Sequence, residues 1–150
     1  MRKSALLFIV ACLASACATV GYQNHGWGPL AVIRNTSNVA LESRGGGGVL
    51  DIGTRCVTLP SGGERITLAW REDQVEWDPL SREIMFRQGP APAIRLSSGD
   101  KIEVGGVYLV GDDGRPRAVT WLATPSPDCT DAVFVVNSVS AFFDRPGPLQ

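Results

Sequence analysis

From residue 30 onward, short apolar runs alternate with clusters of turn residues, and no stretch keeps the 3.6-residue period of a helix. Leu30–Arg34 reads as a strand, and Asn35–Asn38 turns it into a second over Val39–Ser43. Gly45–Gly48 reads only as a loop or a sharp bend, because glycine weakens a strand interior. Thr54–Leu59 is the next run, and Pro60–Gly63 links it to Arg65–Trp70. That last segment alternates, with Ile66, Leu68 and Trp70 on one face and Arg65, Thr67 and Ala69 on the other. Residues 71–82 have no strand pattern, contain Pro79 and read as a long loop. Ile84–Arg87, Ala93–Leu96, Lys101–Val104 and Gly106–Val110 follow as strands. Gly111–Gly114 supplies an Asp-Gly turn between Val107–Val110 and Arg117–Trp121, a hairpin signal. Ala132–Val136 and Ser138–Phe143 complete the series.

About eight to ten short strands without a helix predict an all-β domain, either a single small β-sandwich or a partly open barrel. Cys56, Trp70 and Cys129 approximate the cysteine–tryptophan–cysteine spacing of immunoglobulin domains, which keeps that sandwich among the topologies. Against it, Cys129 lies in the loop-like stretch Pro125–Asp131, and the residue two before it is Pro127 rather than tyrosine.

The N-terminus follows different rules. Arg2 and Lys3 precede an apolar run from Ala5 to Leu13, and Ala14-Ser15-Ala16 stands directly before Cys17. A basic end, a short hydrophobic stretch and small residues at a cut site make an export signal. The run is too short to span a bilayer, which takes about 20 apolar residues. Residues 13–17 resemble the lipobox of bacterial lipoprotein precursors. The resemblance implies cleavage before Cys17 and acylation of that residue, with Ala18 rather than aspartate after it implying the outer membrane. Ala14-x-Ala16 and Ala16-x-Ala18 also suit ordinary signal peptidase, so soluble export stays open. The expected organisation is a signal over 1–16, a Gly-rich tether over 17–29, the β-domain over 30–144 and a tail over 145–150.

Cleavage removes Arg2 and Lys3, leaving the mature chain more acidic than the formal −1 of the whole. Lys101 is then the only lysine and the arginines are scattered, a pattern without the basic stripe that nucleic acid requires. Of four cysteines, Cys12 leaves with the signal and Cys17 is the lipid site, so Cys56 and Cys129 remain as a pair in an oxidising compartment. A bridge between them closes a loop of about 73 residues, for which chain entropy assigns roughly 4 kcal/mol. A two-cysteine metal site or a reactive thiol are the rivals, but there is no C-x-x-C and His25 is the sole histidine.

Catalytic signals are weak. His25 lies in the tether, and no H-E-x-x-H, G-x-S-x-G or phosphate-binding loop is present. Glu72, Asp73, Glu76 and Asp78 gather in the 71–82 segment, where Arg71, Arg82 and Arg87 are at hand to neutralise them. These features predict a non-enzymatic, cofactor-free envelope lipoprotein, facing the periplasm from the outer membrane and making protein–protein contacts. A periplasmic inhibitor or immunity-type protein and a hydrolase using carboxylates alone are the alternatives. The expected contact lies in the 71–82 segment, with Trp77 as anchor and Arg71 or Arg82 supplying charge.

Overall fold

The computed structural model describes residues 26–35 and 44–142, and every regular element among them is a strand. The expected strand over Val39–Ser43, the signal, Cys17 and the tail from 145 lie outside the described residues.

Five lengths of chain form a ring around the main core. Strand β4 (Val57–Ser61) turns through Gly62 and Gly63 into β5 (Glu64–Arg71). Both glycines have positive φ, 60° and 88°, as a two-residue hairpin turn of the primed type requires. The last strand, β11 (Val133–Phe142), runs parallel to β5, and β9 (Lys101–Tyr108) is antiparallel to β11. The chain of β2 (Arg44–Val49) pairs with β9, bends at Leu50 and continues as β3 (Asp51–Ile52), which pairs with β4. One bent strand thus joins both ends of the ring. The seam between β2 and β4 has packing but no ladder, so the large sheet does not close into a barrel, and the two sheets are consistent with a small β-sandwich. Pro60 stands on the β4 side of that seam and has no N–H to give.

Beyond the ring, β1 (Ala31–Ile33) lies parallel to the C-terminal half of β5 and carries β10 (Trp121–Ala123) on its outer edge. A separate three-stranded sheet, β6 (Val75–Asp78), β7 (Glu83–Phe86) and β8 (Ile94–Leu96), occupies the connection from β5 to β9. The all-β expectation therefore holds. The parallel pairs on both sides of β5 depart from the antiparallel sheets of an immunoglobulin sandwich.

Alternation in β5 explains its central place. Ile66, Leu68 and Trp70 enter the main core with Leu59, Ile84, Phe86, Ile102 and Phe134, and the Trp70 ring meets Phe86 edge-on at 5.8 Å. The opposite face is covered too: Ala69 packs with Ala31, Ile33, Val107 and Val135 beneath Leu109, Val119 and Trp121. Thr67, buried on that face, satisfies its hydroxyl on Thr130, 2.9 Å to the hydroxyl and 3.1 Å to the carbonyl. The Cys56–Cys129 disulfide, with Cα atoms 5.7 Å apart, ties the bend before β4 to the loop before β11. An Arg55–Asp128 ion pair at 2.6 Å flanks it.

Five expectations need correction. Arg117–Trp121 is not a strand paired with Val107–Val110: the Asp-Gly turn closes only a bridge from Val110 to Pro116, and β10 starts at Trp121 and pairs with β1. Gly45–Gly48 is not a loop but the interior of β2, whose inward positions are tight at Gly46 and without room for a side chain at Gly48. A Cβ on Gly48 would stand 2.9 Å from Pro60, and one on Gly46 would stand 3.3 Å from Ser61. Lys101–Val104 and Gly106–Val110 are not two strands but mostly one, β9, and Ala132–Val136 and Ser138–Phe143 merge into β11 across a bulge between Val136 and Ser138. Gly106 permits that continuity: any Cβ there would fall 2.0 Å from the Val135 carbonyl oxygen. Residues 71–82 are not a long loop but the end of β5, a turn, β6 and a hairpin tip. The tether stops short of residue 29, since Trp27 packs on the core, Pro29 is buried and the Leu30 N–H bonds the Trp27 carbonyl at 3.1 Å.

Candidate functional site

The β6–β7 hairpin holds Trp77 and Arg82, Arg71 ends β5 at its base, and the three residues expected to meet a partner are used differently. Arg71 closes a network at its base. The guanidinium donates to Asn35 Oδ1 and, at 3.3 Å, to Asp73 Oδ1, while Asn35 donates its amide to Asp73 Oδ2 at 2.6 Å. Glu72 accepts the Asn35 backbone N–H at 3.1 Å. Arg71 thereby fastens the end of β1 to the turn after β5. The remaining carboxylates of the cluster are engaged as well: Glu76 faces Arg87 at 3.6 Å, and Asp78 organises the tip.

Trp77 caps the core from β6. Its indole lies against Gly28, where an added Cβ would fall 2.2 Å from Nε1. Half-buried Trp27 and Trp77 both pack on the main cluster. The N-terminal turn is thus laid directly across the hairpin.

The tip, Pro79–Arg82, is built to be rigid. The Asp78 carboxylate accepts the Ser81 hydroxyl at 2.7 Å and the backbone N–H groups of Leu80 and Ser81 at 3.0 and 3.4 Å. Bonds from the Ser81 hydroxyl first and the Leu80 amide second hold its pKa below the usual carboxylate range. Pro79 fixes one backbone angle, and Arg82 is held at φ 57°, a left-handed conformation that costs an L side chain roughly 1–2 kcal/mol. At the summit Leu80 is 95% exposed. Arg82 reaches the Gly53 carbonyl at 3.5 Å and has no carboxylate within ion-pair distance among the described residues. Beside the tip, Glu83 takes Arg95 at 2.7 Å and the Ser97 hydroxyl at 2.7 Å, and these two donors lower its pKa in that order.

A second feature lies on the outer face of β2, β9 and β11. Register aligns Gly45 with Gly105 and Ser138, and Gly47 with Glu103 and Ser140. The result is a shallow trough of about 470 Å³ with a backbone floor. Glycine here differs from its inward neighbours. A Cβ on Gly45 would meet nothing closer than 3.8 Å, and one on Gly47 would meet the flexible Glu103 side chain at 3.2 Å and the Ile102 carbonyl oxygen at 3.5 Å. Glycine inside a strand commonly marks close approach of a ligand or another backbone.

Sequence reasoning chose Trp77 for being aromatic and passed over Leu80. The usable signal was an Asp-Pro-Leu-Ser-Arg turn, where the Asp, Pro and Ser positions serve geometry and the Leu and Arg positions do not. Among the described residues no group of three or more His, Cys, Asp or Glu is placed to hold a metal ion. Comparison of the chain with protein-family models, with curated proteins and with solved structures finds no match.

Proposed function

We propose that this protein is a lipid-anchored lipoprotein of the bacterial outer membrane, holding a non-catalytic β-domain on the periplasmic side for contacts with envelope proteins. The observation that carries the proposal is the Cys56–Cys129 disulfide read together with the box at residues 13–17. A structural disulfide persists in an oxidising compartment, and export to one is what the N-terminus encodes. The two cysteines beyond the box form the bridge, which leaves Cys17 for acylation.

The contact surface in this proposal is the trough. An extended polar segment of a partner can lie close to the backbone at Gly45 and Gly47, and exposed Glu103 beside it favours a basic residue in that segment. Fractionation of cells expressing wild-type protein and Cys17→Ser tests the anchor. The wild type should require detergent for release and the variant should not; equal solubility of the two removes the anchor. A photo-crosslinking residue at position 45 should capture an envelope protein, and its failure to capture any removes the trough.

A further inference from the structure

We infer that the face around Leu80 rests on the membrane surface, with Leu80 entering the lipid interface. This inference rests on the anchor at Cys17. Three independent observations converge on that face.

The first is placement. The described chain begins at Gly26, and Gly28 lies against Trp77. Leu80 follows Trp77 by three positions, at most about 10 Å of chain. Cys17 precedes Gly26 by nine residues, a reach of at most about 30 Å. A lipid on Cys17 therefore keeps this end of the hairpin nearer the bilayer than a freely diffusing domain would bring it.

The second is composition. Half-buried Trp77, fully exposed Leu80 and Arg82, which has no ion-pair partner among the described residues, are the residue types that proteins place at a membrane interface. The neighbouring carboxylates do not oppose an anionic surface strongly: turn hydrogen bonds occupy Asp78, and Arg95 neutralises Glu83.

The third is local cost. The fold needs neither a leucine at 80 nor an arginine at 82. Leu80 touches little of the protein, and glycine would adopt the φ of Arg82 without strain. Residues that break a local rule on a rigid scaffold point to function. A protein cleft would also accept a projecting leucine, but the contact of Gly28 with Trp77, three positions before Leu80, favours lipid.

The test uses the full lipidated protein in vesicles of phosphatidylethanolamine and phosphatidylglycerol with brominated acyl chains. Leu80→Trp adds one indole at the tip, and its exposure makes the substitution harmless to folding. Flotation with the vesicles reports the anchor, and quenching of the added emission reports the tip. The expected result is flotation together with a blue shift and loss of the emission that Leu80→Trp adds to the native tryptophans. Flotation with the added emission unshifted and unquenched overturns the inference and leaves the anchor standing. Failure to float overturns the anchor proposal and the inference with it. A benzophenone residue at position 80 in cells distinguishes the occupants: a phospholipid adduct supports membrane contact, and a protein adduct overturns it.

Discussion

The seam between β2 and β4 and the hairpin tip are both short stretches where the sequence breaks the pattern of a strand, yet the fold accounts for one and not the other. At the seam, Gly48 is required by Pro60, which leaves no space for a side chain, and Gly46 lies tight against Ser61. At the tip, Asp78, Pro79 and Ser81 build the turn, while Leu80 and Arg82 contribute nothing to it that a cheaper residue would not. An unusual residue is evidence of function only after packing has been asked to explain it. The two faces of β2 repeat the lesson within one strand, since the outward Gly45 has open space where the inward Gly48 has none.

The largest effect should come from the bridge beside the seam. Replacing Cys56 and Cys129 with serine should lower stability by roughly 2–5 kcal/mol, read as the shift of the denaturant midpoint. A negligible shift would mean the ring holds without its staple. Next is Trp77→Ala, which removes the cap that touches Gly28. Burial of only part of the ring puts the expected loss at about 3 kcal/mol, the low end for such truncations. Unchanged melting would return Trp77 to the surface role that its sequence context suggested.

Gly48→Ala should cost about 1–3 kcal/mol by overpacking against Pro60, whereas Gly45→Ala should be neutral or mildly stabilising. Equal effects at the two positions would erase the distinction between the faces of β2. At the tip the sign should reverse. Arg82→Gly relieves a left-handed arginine and should raise stability by roughly 0.5–1 kcal/mol while weakening membrane contact. The smallest effect is electrostatic. Asp78 and Glu83 have folded pKa values below their ordinary ones, so the unfolded chain binds more protons as the solution becomes acidic. Their stabilisation is complete above the ordinary carboxylate pKa of about 4 and drains away as pH falls through the lowered values. Asp78→Asn should flatten that acid limb, which a melting series from neutral to acid pH would reveal.

Period-two alternation made β5 legible, because Ile66, Leu68 and Trp70 face one core and leave a regular trace. The disulfide was legible from cysteine number and the oxidising compartment expected from the N-terminus. What escaped depended on contacts between distant segments. Four glycines resemble a loop until Pro60 and Ser61 are placed beside them, and Gly106 resembles a strand end until the Val135 carbonyl is placed against it. The 71–82 segment concealed its strand because β6 has only four residues, ends in Asp78 and is followed at once by Pro79. Trp77 drew attention as an aromatic among charges, but Gly28 on the far side of its ring is invisible to local reading. Leu80 went unremarked because a lone leucine near a proline carries no periodic signal.

The intact mass of the protein extracted from its own membranes tests the central claim most directly. The expected species begins at Cys17, carries a diacylglyceryl group there, and shows no free thiol at Cys56 or Cys129 until reduced. A soluble chain unmodified at Cys17, or one with both thiols free before reduction, would contradict the account.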